Sequence, residues 1–195
     1  MLYFTSDTHF GGDANIIIRR ENRPFSNPLD YINEQVRIFN DQASHNDTIY
    51  HLGDYCNYSK DERDWRTGLE SVIHINADVI LIVGNNEERV IEYEFNGDFN
   101  SFKNYCLSLG FKNVHRDLII NIDSDTFYLN HCPRYHRKEY INLFGHVHRA
   151  TGLLKPFGFN VGVDVNNFKL FSKDDIYRLL ECKKQYWDKD LDILC

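Results

Sequence analysis

The chain has 195 residues, of which 42% are hydrophobic and 14% aromatic, and its formal net charge is −7. This composition predicts a globular domain with a large core and excludes a disordered chain. The negative charge disfavours general polyanion binding, so any nucleic-acid contact needs a local basic patch. Because the chain has no apolar run of transmembrane length and begins in a predicted strand, we expect neither secretion nor membrane binding.

The five cysteines are odd in number and scattered, without a Cys-x-x-Cys pair. This pattern indicates free thiols in a reducing compartment, and it predicts neither a disulfide framework nor a thiolate zinc site. We therefore expect a cytoplasmic protein. No low-complexity linker or internal repeat divides the chain, so residues 1–195 are predicted to form a single domain.

The first predicted strand, Leu2 to Ser6, is followed by Asp7 and His9 and then by a glycine pair. A carboxylate and an imidazole beyond a strand lie at the sheet edge where α/β proteins place their sites. The alternative interpretation is an aspartate that starts a turn, with a solvated histidine beside it.

A basic and then an amphipathic segment follow the first strand. Arg19, Arg20 and Arg23 either recognise phosphate or form a solvated face, and the sequence leaves both interpretations open. Asn27, with proline next to it, predicts the start of a helix. Apolar residues then recur at spacings of three and four, which is typical of a helix with one buried face.

Two further predicted strands, Asp47 to Leu52 and Asp78 to Val83, also end in glycine and polar residues. Asp54 follows the first of them, and Gly84-Asn85-Asn86-Glu87 follows the second. Three hydrophobic strands, each followed by small and metal-competent residues, form a repeated signal that a single Gly-Asp pair would not give.

The segments between these strands are predicted with less detail. A capping box at residues 59–62 predicts the start of a helix whose buried face includes Trp65 and Leu69. The acidic stretch Glu88 to Asn100 has no assigned structure. Apolar residues from Phe102 to Leu109 predict a short helix that ends at a glycine.

The second half of the chain begins with a predicted hairpin of strands 117–122 and 126–130, which ends at His131. The next loop contains Arg134, Tyr135, His136 and Arg137. This basic and aromatic loop either holds a phosphate and stacks a base or is a solvated loop.

A buried strand, Ile141 to Phe144, then ends at a glycine followed by His146 and His148. Phe159 to Val165 is predicted as the last strand, and Ser172 begins the final helix. The tail 185–195 mixes apolar and acidic residues, and either docks on the domain or contacts a partner.

The polar residues at the strand ends comprise two carboxylates, one carboxamide and four imidazoles. They are Asp7, His9, Asp54, Asn85, His131, His146 and His148. This oxygen and nitrogen set suits manganese, iron or zinc better than calcium or a structural cysteine zinc site. Manganese is the ion we expect, with iron, zinc or nickel as alternatives. Seven ligands are too many for one catalytic metal with an open position. We therefore predict two divalent ions, with the central Asp54 as the bridge.

These motifs resemble, in order and spacing, those of the calcineurin-like metallophosphoesterase superfamily. The match runs from the first strand to Asp164, and the segments around Arg23 and Asn160 resemble a small bacterial and phage branch. The resemblance implies an α/β fold: a central β-sandwich of two mixed sheets flanked by helices in four layers, with metals at the strand ends.

The resemblance also implies a division of the ligands between two metals. One metal takes Asp7, His9, Asp54 and His148, and the other takes Asp54, Asn85, His131 and His146. A hydroxide between the metals attacks phosphorus.

One position departs from the family pattern. The family usually has a histidine that protonates the leaving group where this chain has Asn86. A carboxamide is not an acid near neutral pH, so three interpretations stay open: His136 replaces the acid, the substrate needs less help, or catalysis is lost. The predicted catalytic residues are Asn86 and His136, and the predicted substrate-binding residues are Arg23, Arg134, Tyr135 and Arg137.

The leading hypothesis is a phosphodiesterase or phosphatase that acts on a small phosphoester, either a nucleotide or a short single-stranded nucleic acid. A non-catalytic metal-binding interaction module is the second hypothesis, and it depends on Asn86 and on the tail. A nuclease is the third, and the acidic net charge disfavours it for long duplexes.

Overall fold

The computed structural model describes residues 1–11, 14–59, 65–150 and 152–190, with side chains described up to residue 185. Glu62 of the predicted capping box and residues 191–195 of the tail lie outside the described residues. The strands are β1 Leu2–Thr5, β2 Thr48–His51, β3 Asp78–Ile82, β4 Asn113–His115, β5 Leu118–Ile122, β6 Asp125–Leu129, β7 Ile141–Phe144, β8 Leu154–Lys155, β9 Gly158–Asn160 and β10 Phe171–Ser172. The helices are α1 Ala14–Arg20, α2 Pro28–Gln42, α3 Trp65–Glu70, α4 Asn85–Glu94, α5 Phe99–Leu109 and α6 Lys173–Asp190.

The strands form two mixed sheets of five strands each. The first sheet has the order β10-β1-β2-β3-β4, in which β1 to β4 are parallel and β10 pairs antiparallel with β1. The second has the order β5-β6-β7-β9-β8, in which β6, β7 and β9 are parallel and the edge strands are antiparallel. The predicted fold class, two mixed sheets flanked by helices, is confirmed.

Two hydrophobic clusters hold the layers together. One cluster joins apolar side chains of both sheets, among them Phe4, Leu143 and Phe159. The other packs the first sheet against helices and includes Tyr3 and Trp65. Tyr3 and Phe4 point into different clusters because successive side chains of a strand face opposite ways. Among the described residues, no helix combines the length and the apolar character that crossing a lipid bilayer requires.

Several predicted elements agree with the structure. Helix α2 begins after Asn27, whose side chain accepts a hydrogen bond from the Asp30 N–H. Helix α5 ends at Gly110, which has a left-handed backbone with φ of 115°. The hairpin of β5 and β6 is antiparallel as predicted. Local capping and turn chemistry therefore located these boundaries to within a few residues.

Other elements differ from the predictions. Much of the stretch Glu88 to Asn100, left unassigned from sequence, belongs to α4, in which Val90 and Ile91 are the buried apolar side chains. Two apolar positions among many charges gave too weak a periodic signal. The predicted strand Phe159 to Val165 is also partly wrong, since β9 ends at Asn160 and Val163–Val165 forms a 3-10 turn.

Candidate metal centre

The predicted ligands meet because the parallel strands end at the same edge of their sheets. In the first sheet, Asp7 follows β1, Asp54 follows β2 and Asn85 follows β3. The loops after β1 and β2 run together: the Asp7 N–H donates to the Gly53 carbonyl at 3.0 Å and the His9 N–H to the Asp54 carbonyl at 2.8 Å. The sheet geometry thus gathers side chains that are far apart in sequence.

The histidines after β6 and β7 of the second sheet complete the group. The backbone N–H of His146 lies 3.0 Å from both carboxylate oxygens of Asp7, and the rings of His131 and His146 have centroids 5.2 Å apart. The structure brings all seven predicted ligands together at the joined edges of the two sheets. Their role as metal ligands stays a prediction.

An unusual backbone conformation marks this group. Five of the seven side chains stand on a left-handed backbone: Asp7 (φ 61°), His9 (54°), Asp54 (51°), His146 (72°) and His148 (46°). For a residue other than glycine this conformation costs roughly 1–2 kcal/mol. Such strain persists only where the surrounding structure imposes it, and it is concentrated at functional sites.

The centre of the group is one oxygen of Asp54. Asp54 Oδ2 lies 3.6 Å from His9 Nε2 and 3.6 Å from His131 Nε2. Both Nε2 atoms are buried, and neither has a hydrogen-bond partner within the part of the chain that the structure describes. A separation of 3.6 Å is too long for a hydrogen bond, but two ligands on one ion are roughly 3–3.5 Å apart. The spacing of these atoms therefore fits a metal-binding site in which Asp54 is a ligand together with His9 and His131.

Asp7 makes a second set of close approaches. Its potential ligand atoms lie within 4.8 Å of those of His9 and His148, and also within 4.8 Å of those of Asp54 and His131. His148 Nε2 is 3.9 Å from Asp7 Oδ1. The two triads share Asp7, so this carboxylate lies between His148 on one side and Asp54 and His131 on the other.

Three of the histidines are held by their other ring nitrogen. The contacts are Asn57 Oδ1 with His9 Nδ1 (3.0 Å), the Leu52 carbonyl with His131 Nδ1 (2.8 Å) and Asp164 Oδ2 with His148 Nδ1 (2.7 Å). Metal-binding histidines ordinarily donate this N–H to an oxygen, which fixes the ring and leaves Nε2 for the ion. The sequence analysis missed Asn57, since an asparagine in a loop carries no signal of such a contact.

Asn85 and His146 form the open side of the group. The Asn85 side-chain nitrogen and His146 Nδ1 are 2.9 Å apart. Asn85 is exposed and His146 is half-buried, whereas Asp7, His9, Asp54 and His131 are buried. A ligand that approaches from solvent therefore meets Asn85 and His146 first.

The predicted ligands differ in their protonation. Burial works to lower the pKa of His131 and His148, but the carboxylate of Asp54 beside His131 and the hydrogen bond of His148 with Asp164 outweigh it and raise both values, whereas His9 and Asp54 have the forms that bind a cation. Burial lowers the pKa of His9 to about 4 despite the nearby carboxylates, so its ring is neutral near pH 7. Burial works to raise the pKa of Asp54, but the imidazoles of His131 and His9 and the Asn86 N–H outweigh it and keep this pKa below its ordinary value. A neutral imidazole beside an ionised carboxylate is the form that a divalent ion requires.

Glu87 is a buried residue that ties the strand-end loops together. Its carboxylate accepts N–H groups from Asp54 (2.8 Å), Gly84 (2.9 Å) and Cys56 (3.0 Å). Burial, reinforced by repulsion from Asp54, raises the pKa of Glu87. The Gly84–Glu87 motif signalled this residue as part of the pattern without revealing its contacts.

Gly84 has no space for a side chain. A Cβ there would lie 2.2 Å from the Asp54 backbone nitrogen and 2.5 Å from Asp54 Oδ1. The glycine of this motif is required by the close approach of the two loops.

Asn86 has structural contacts on three sides. Its backbone N–H donates to Asp54 Oδ1 at 2.9 Å, its amide oxygen accepts the Tyr58 N–H at 3.2 Å, and its amide nitrogen lies 3.2 Å from His9 Nδ1. The side chain lines the cleft above the ligand group and is only 7% exposed. Asn86 thus positions one predicted metal ligand, Asp54, through its backbone N–H, and its side-chain amide packs beside the ring of a second, His9.

The prediction that Arg23 binds substrate is wrong. Its guanidinium is fully buried, and all five of its N–H groups donate within the fold. Two go to the carboxylate of Asp164 at 2.9 and 2.8 Å, and the others go to the Thr8 carbonyl, the Asp7 carbonyl and the Tyr31 hydroxyl. No donor is left for a ligand.

The loop that carries Arg134 and His136 is divided between two environments. His136 does not line the cleft above the ligand group: its Nδ1 lies 3.1 Å from the Pro133 carbonyl and its ring stacks on Phe157 with centroids 4.0 Å apart. The interpretation of His136 as the replacement acid is therefore corrected. Arg134 is exposed and lines no described cavity, whereas Tyr135 and Arg137 line a second cavity beside Asn85.

The cleft above the ligand group, about 310 Å³ in volume, carries two arginines that extend from neighbouring helices, Arg20 from α1 and Arg89 from α4. Arg20 was among the arginines that the sequence left open. Its NH2 lies 3.1 Å from His148 Nε2, the atom that would bind a metal. If an ion were bound to His148 Nε2, the guanidinium of Arg20 would have to move away from this atom. Because Arg20 lines the cleft, its positive charge would still face a ligand there.

Sequence comparison matches this chain to a family model and to a relative of similar length. A family model described as calcineurin-like phosphoesterase matches residues 2–165. The uncharacterised protein MJ1445 of Methanocaldococcus jannaschii is 30% identical over 187 residues, which cover 92% of this chain and 91% of that protein.

Two solved structures match this chain at lower identity, and the first of them shares its fold. A protein of unknown function from Aquifex aeolicus, AQ665, superimposes with a TM-score of 0.60 at 20% identity, covering 92% of this chain and 98% of that one. The phosphoesterase YfcE of E. coli gives a TM-score of 0.45 at 16% identity, covering 83% and 77% of the two chains.

Proposed function

This chain belongs to the calcineurin-like phosphoesterase family, and on that premise we propose that it is a phosphodiesterase that uses two divalent metal ions. The observation that carries this proposal is the pair of buried, unpartnered Nε2 atoms of His9 and His131 that face one oxygen of Asp54. Manganese is the proposed ion, with iron, zinc or nickel as alternatives. The proposed substrate is a small phosphodiester of nucleotide type.

The residues divide into holding and positioning groups. Asp7, His9, Asp54 and His148 would hold one ion, and Asp54, Asn85, His131 and His146 the other. When bound, two such ions supply a hydroxide nucleophile at neutral pH and neutralise the charge that develops on the phosphoryl oxygens. Asn57, Leu52 and Asp164 hold three histidine rings in place through Nδ1.

One observation favours a weakly basic leaving group, and a second favours a diester over a monoester. Asn86 stands at the position of the usual acid and His136 lies away from the cleft, so neither protonates a basic leaving group. A well-placed general acid is worth roughly 10²–10⁴-fold, and its loss matters least for a weakly basic leaving group. In addition, Asn85 lines a cavity on each of its two sides, which gives room for two ester arms.

We expect manganese-loaded protein to hydrolyse bis(p-nitrophenyl) phosphate with a kcat/KM about tenfold or more above that for p-nitrophenyl phosphate, a difference of about 1.4 kcal/mol in transition-state stabilisation. The assay is release of p-nitrophenol with manganese, nickel and zinc in turn, and metal-stripped protein is the control. A preference for the monoester would contradict the diester proposal.

The same assay tests a second candidate function, a metal-binding interaction module. The observation in its favour is that the amide of Asn86 is occupied by contacts to Tyr58 and His9 and supplies no acid. Protein shown to contain two ions that turns over neither ester would support this candidate and overturn the enzyme.

Arg20 is expected to bind the phosphate of the substrate. Arg20→Gln should raise KM for the diester roughly tenfold and weaken inhibition by orthophosphate by a similar factor, the size of one charge-assisted hydrogen bond. Arg19→Gln is the matched control, because Arg19 is exposed on the same helix turn and does not line the cleft. Steady-state kinetics measures KM for both variants. Equal KM values in Arg20→Gln and Arg19→Gln would contradict a specific role for Arg20.

A further inference from the structure

A second cavity of about 450 Å³ lies beside the ligand group, and nothing in the proposed hydrolysis by itself explains it. Asn85 and His131, two predicted ligands, form part of its wall, and Asn85 also lines the arginine-containing cleft. A substrate phosphate over the ligand group would therefore have one substituent on each side of Asn85.

The charges of this cavity are balanced. Arg116 forms an ion pair with Glu88, and Arg137 lies 3.7 Å from a carboxylate oxygen of Asp117. All four of these side chains line the cavity. Because each arginine has an acidic partner within the same wall, the cavity has no excess positive charge and does not suit a second phosphate.

Aromatic and planar groups form the other part of the wall. The guanidinium of Arg137 lies over the ring of Tyr128, 4.3 Å from its centroid, and Tyr128 is buried. Tyr135 is 61% exposed although it lines the cavity, so much of its ring is open to solvent. Aromatic rings and stacked guanidinium planes are the surfaces on which proteins bind unpaired bases.

Polar groups accompany these flat surfaces. Asn130 lines the cavity, and its amide nitrogen lies 3.4 Å from the Tyr128 hydroxyl, which in turn donates to Asp117 at 3.1 Å. Amide and carboxylate groups beside an aromatic wall can meet the hydrogen-bonding edge of a heteroaromatic ring.

We propose that this cavity binds a planar heteroaromatic group of nucleobase type on one ester arm of the substrate, with Tyr135 as the stacking residue. The inference rests on the proposed function, because it is the phosphate over the ligand group that brings this arm to the cavity. It also explains why Tyr135 and Arg137 line the cavity while Arg134 and His136 of the same loop do not.

The test compares two ligands that differ by a base. We expect manganese-loaded protein to bind uridine 5′-phosphate more tightly than ribose 5-phosphate, by roughly tenfold within the range of about five- to 150-fold that stacking of one base gives. In Tyr135→Ala this ratio should fall to near one while the dissociation constant of ribose 5-phosphate stays unchanged. Tyr135→Phe should keep the ratio. Isothermal titration calorimetry measures all of these constants without turnover.

Tyr58 provides the matched control. It lines the other cleft and stacks on Tyr93 with centroids 5.8 Å apart, so it is the competing place for a base. Tyr58→Ala should leave the ratio intact. A ratio near one in the wild type, or a ratio lost in Tyr58→Ala and kept in Tyr135→Ala, would overturn the inference. Because binding is measured apart from hydrolysis, either result is distinguishable from a failure of the proposed catalytic function.

Discussion

Replacing Asp54 with asparagine is expected to lower kcat for the diester by roughly 10³-fold or more. Asp54 Oδ2 is 3.6 Å from the Nε2 atoms of both His9 and His131, and for this reason we propose it as the carboxylate that would bridge the two ions. Losing its charge removes several kcal/mol of electrostatic stabilisation, and each 1.4 kcal/mol is a factor of ten in rate.

The metal content of the Asp54→Asn protein should fall together with its activity. We expect fewer than two manganese ions per chain of Asp54→Asn by elemental analysis. The fold should persist, because asparagine retains an oxygen that can accept the Asn86 N–H. Asp41→Asn is the control, since Asp41 is exposed on α2, and Arg37 is its one ion-pair partner among the residues that the structure describes. An Asp54→Asn protein with two bound ions and wild-type turnover would contradict the assignment of this residue as the bridge.

Replacing Arg23 with methionine is expected to lower the free energy of unfolding by about 3–5 kcal/mol, the usual cost of leaving a buried charge without its partner. The ion pair of Arg23 with Asp164 is fully buried. The substitution also leaves the Asp7 carbonyl without the N–H that it accepts at 2.7 Å. Urea denaturation of the metal-free protein measures the change.

The matched control is Arg37→Met. Arg37 is an exposed arginine of α2 that pairs with Glu34 and Asp41 at the surface. Such surface pairs are worth about 0–1 kcal/mol, so this variant should differ little from wild type. If Arg23→Met were no less stable than Arg37→Met, the buried ion pair would not have the role we assign to it.

The pH dependence of stability should change in a definite direction. Burial works to raise the pKa of Asp164, but hydrogen bonds from His148 and Arg23 outweigh it and lower this pKa to about 2. A pKa below the unfolded value of about 3.9 stabilises the fold above pH 4, and that contribution is lost as pH falls towards 2. Urea titrations should show that the free energy of unfolding falls less between pH 5 and pH 3 in Arg23→Met than in the wild type.

The sequence by itself determined which polar residues meet at the strand ends. Hydrophobic runs that stop at Gly53, Gly84 and Gly145 predicted buried strands, and the polar residues that follow them predicted a site at the strand ends. This works because parallel strands in one sheet place their carboxyl ends at the same edge, whatever the loops between them do. The start of α2 after Asn27 could also be predicted from the sequence, because a capping side chain contacts only the next few residues of the chain.

Only the tertiary structure decided what several polar residues do. Arg23 and Asp164 are 141 positions apart, and no local pattern shows that the fold pairs them and removes Arg23 from the cleft. Asn57 Oδ1 likewise contacts His9 Nδ1 although the two residues are 48 positions apart, and no local pattern predicts this contact. Local periodicity and capping depend on neighbours in the chain, whereas a side-chain partner depends on which surfaces the packed layers bring into contact. The left-handed backbone of Asp7, His9 and Asp54 has the same origin, since hydrogen bonds between loops hold a conformation that each residue alone would avoid.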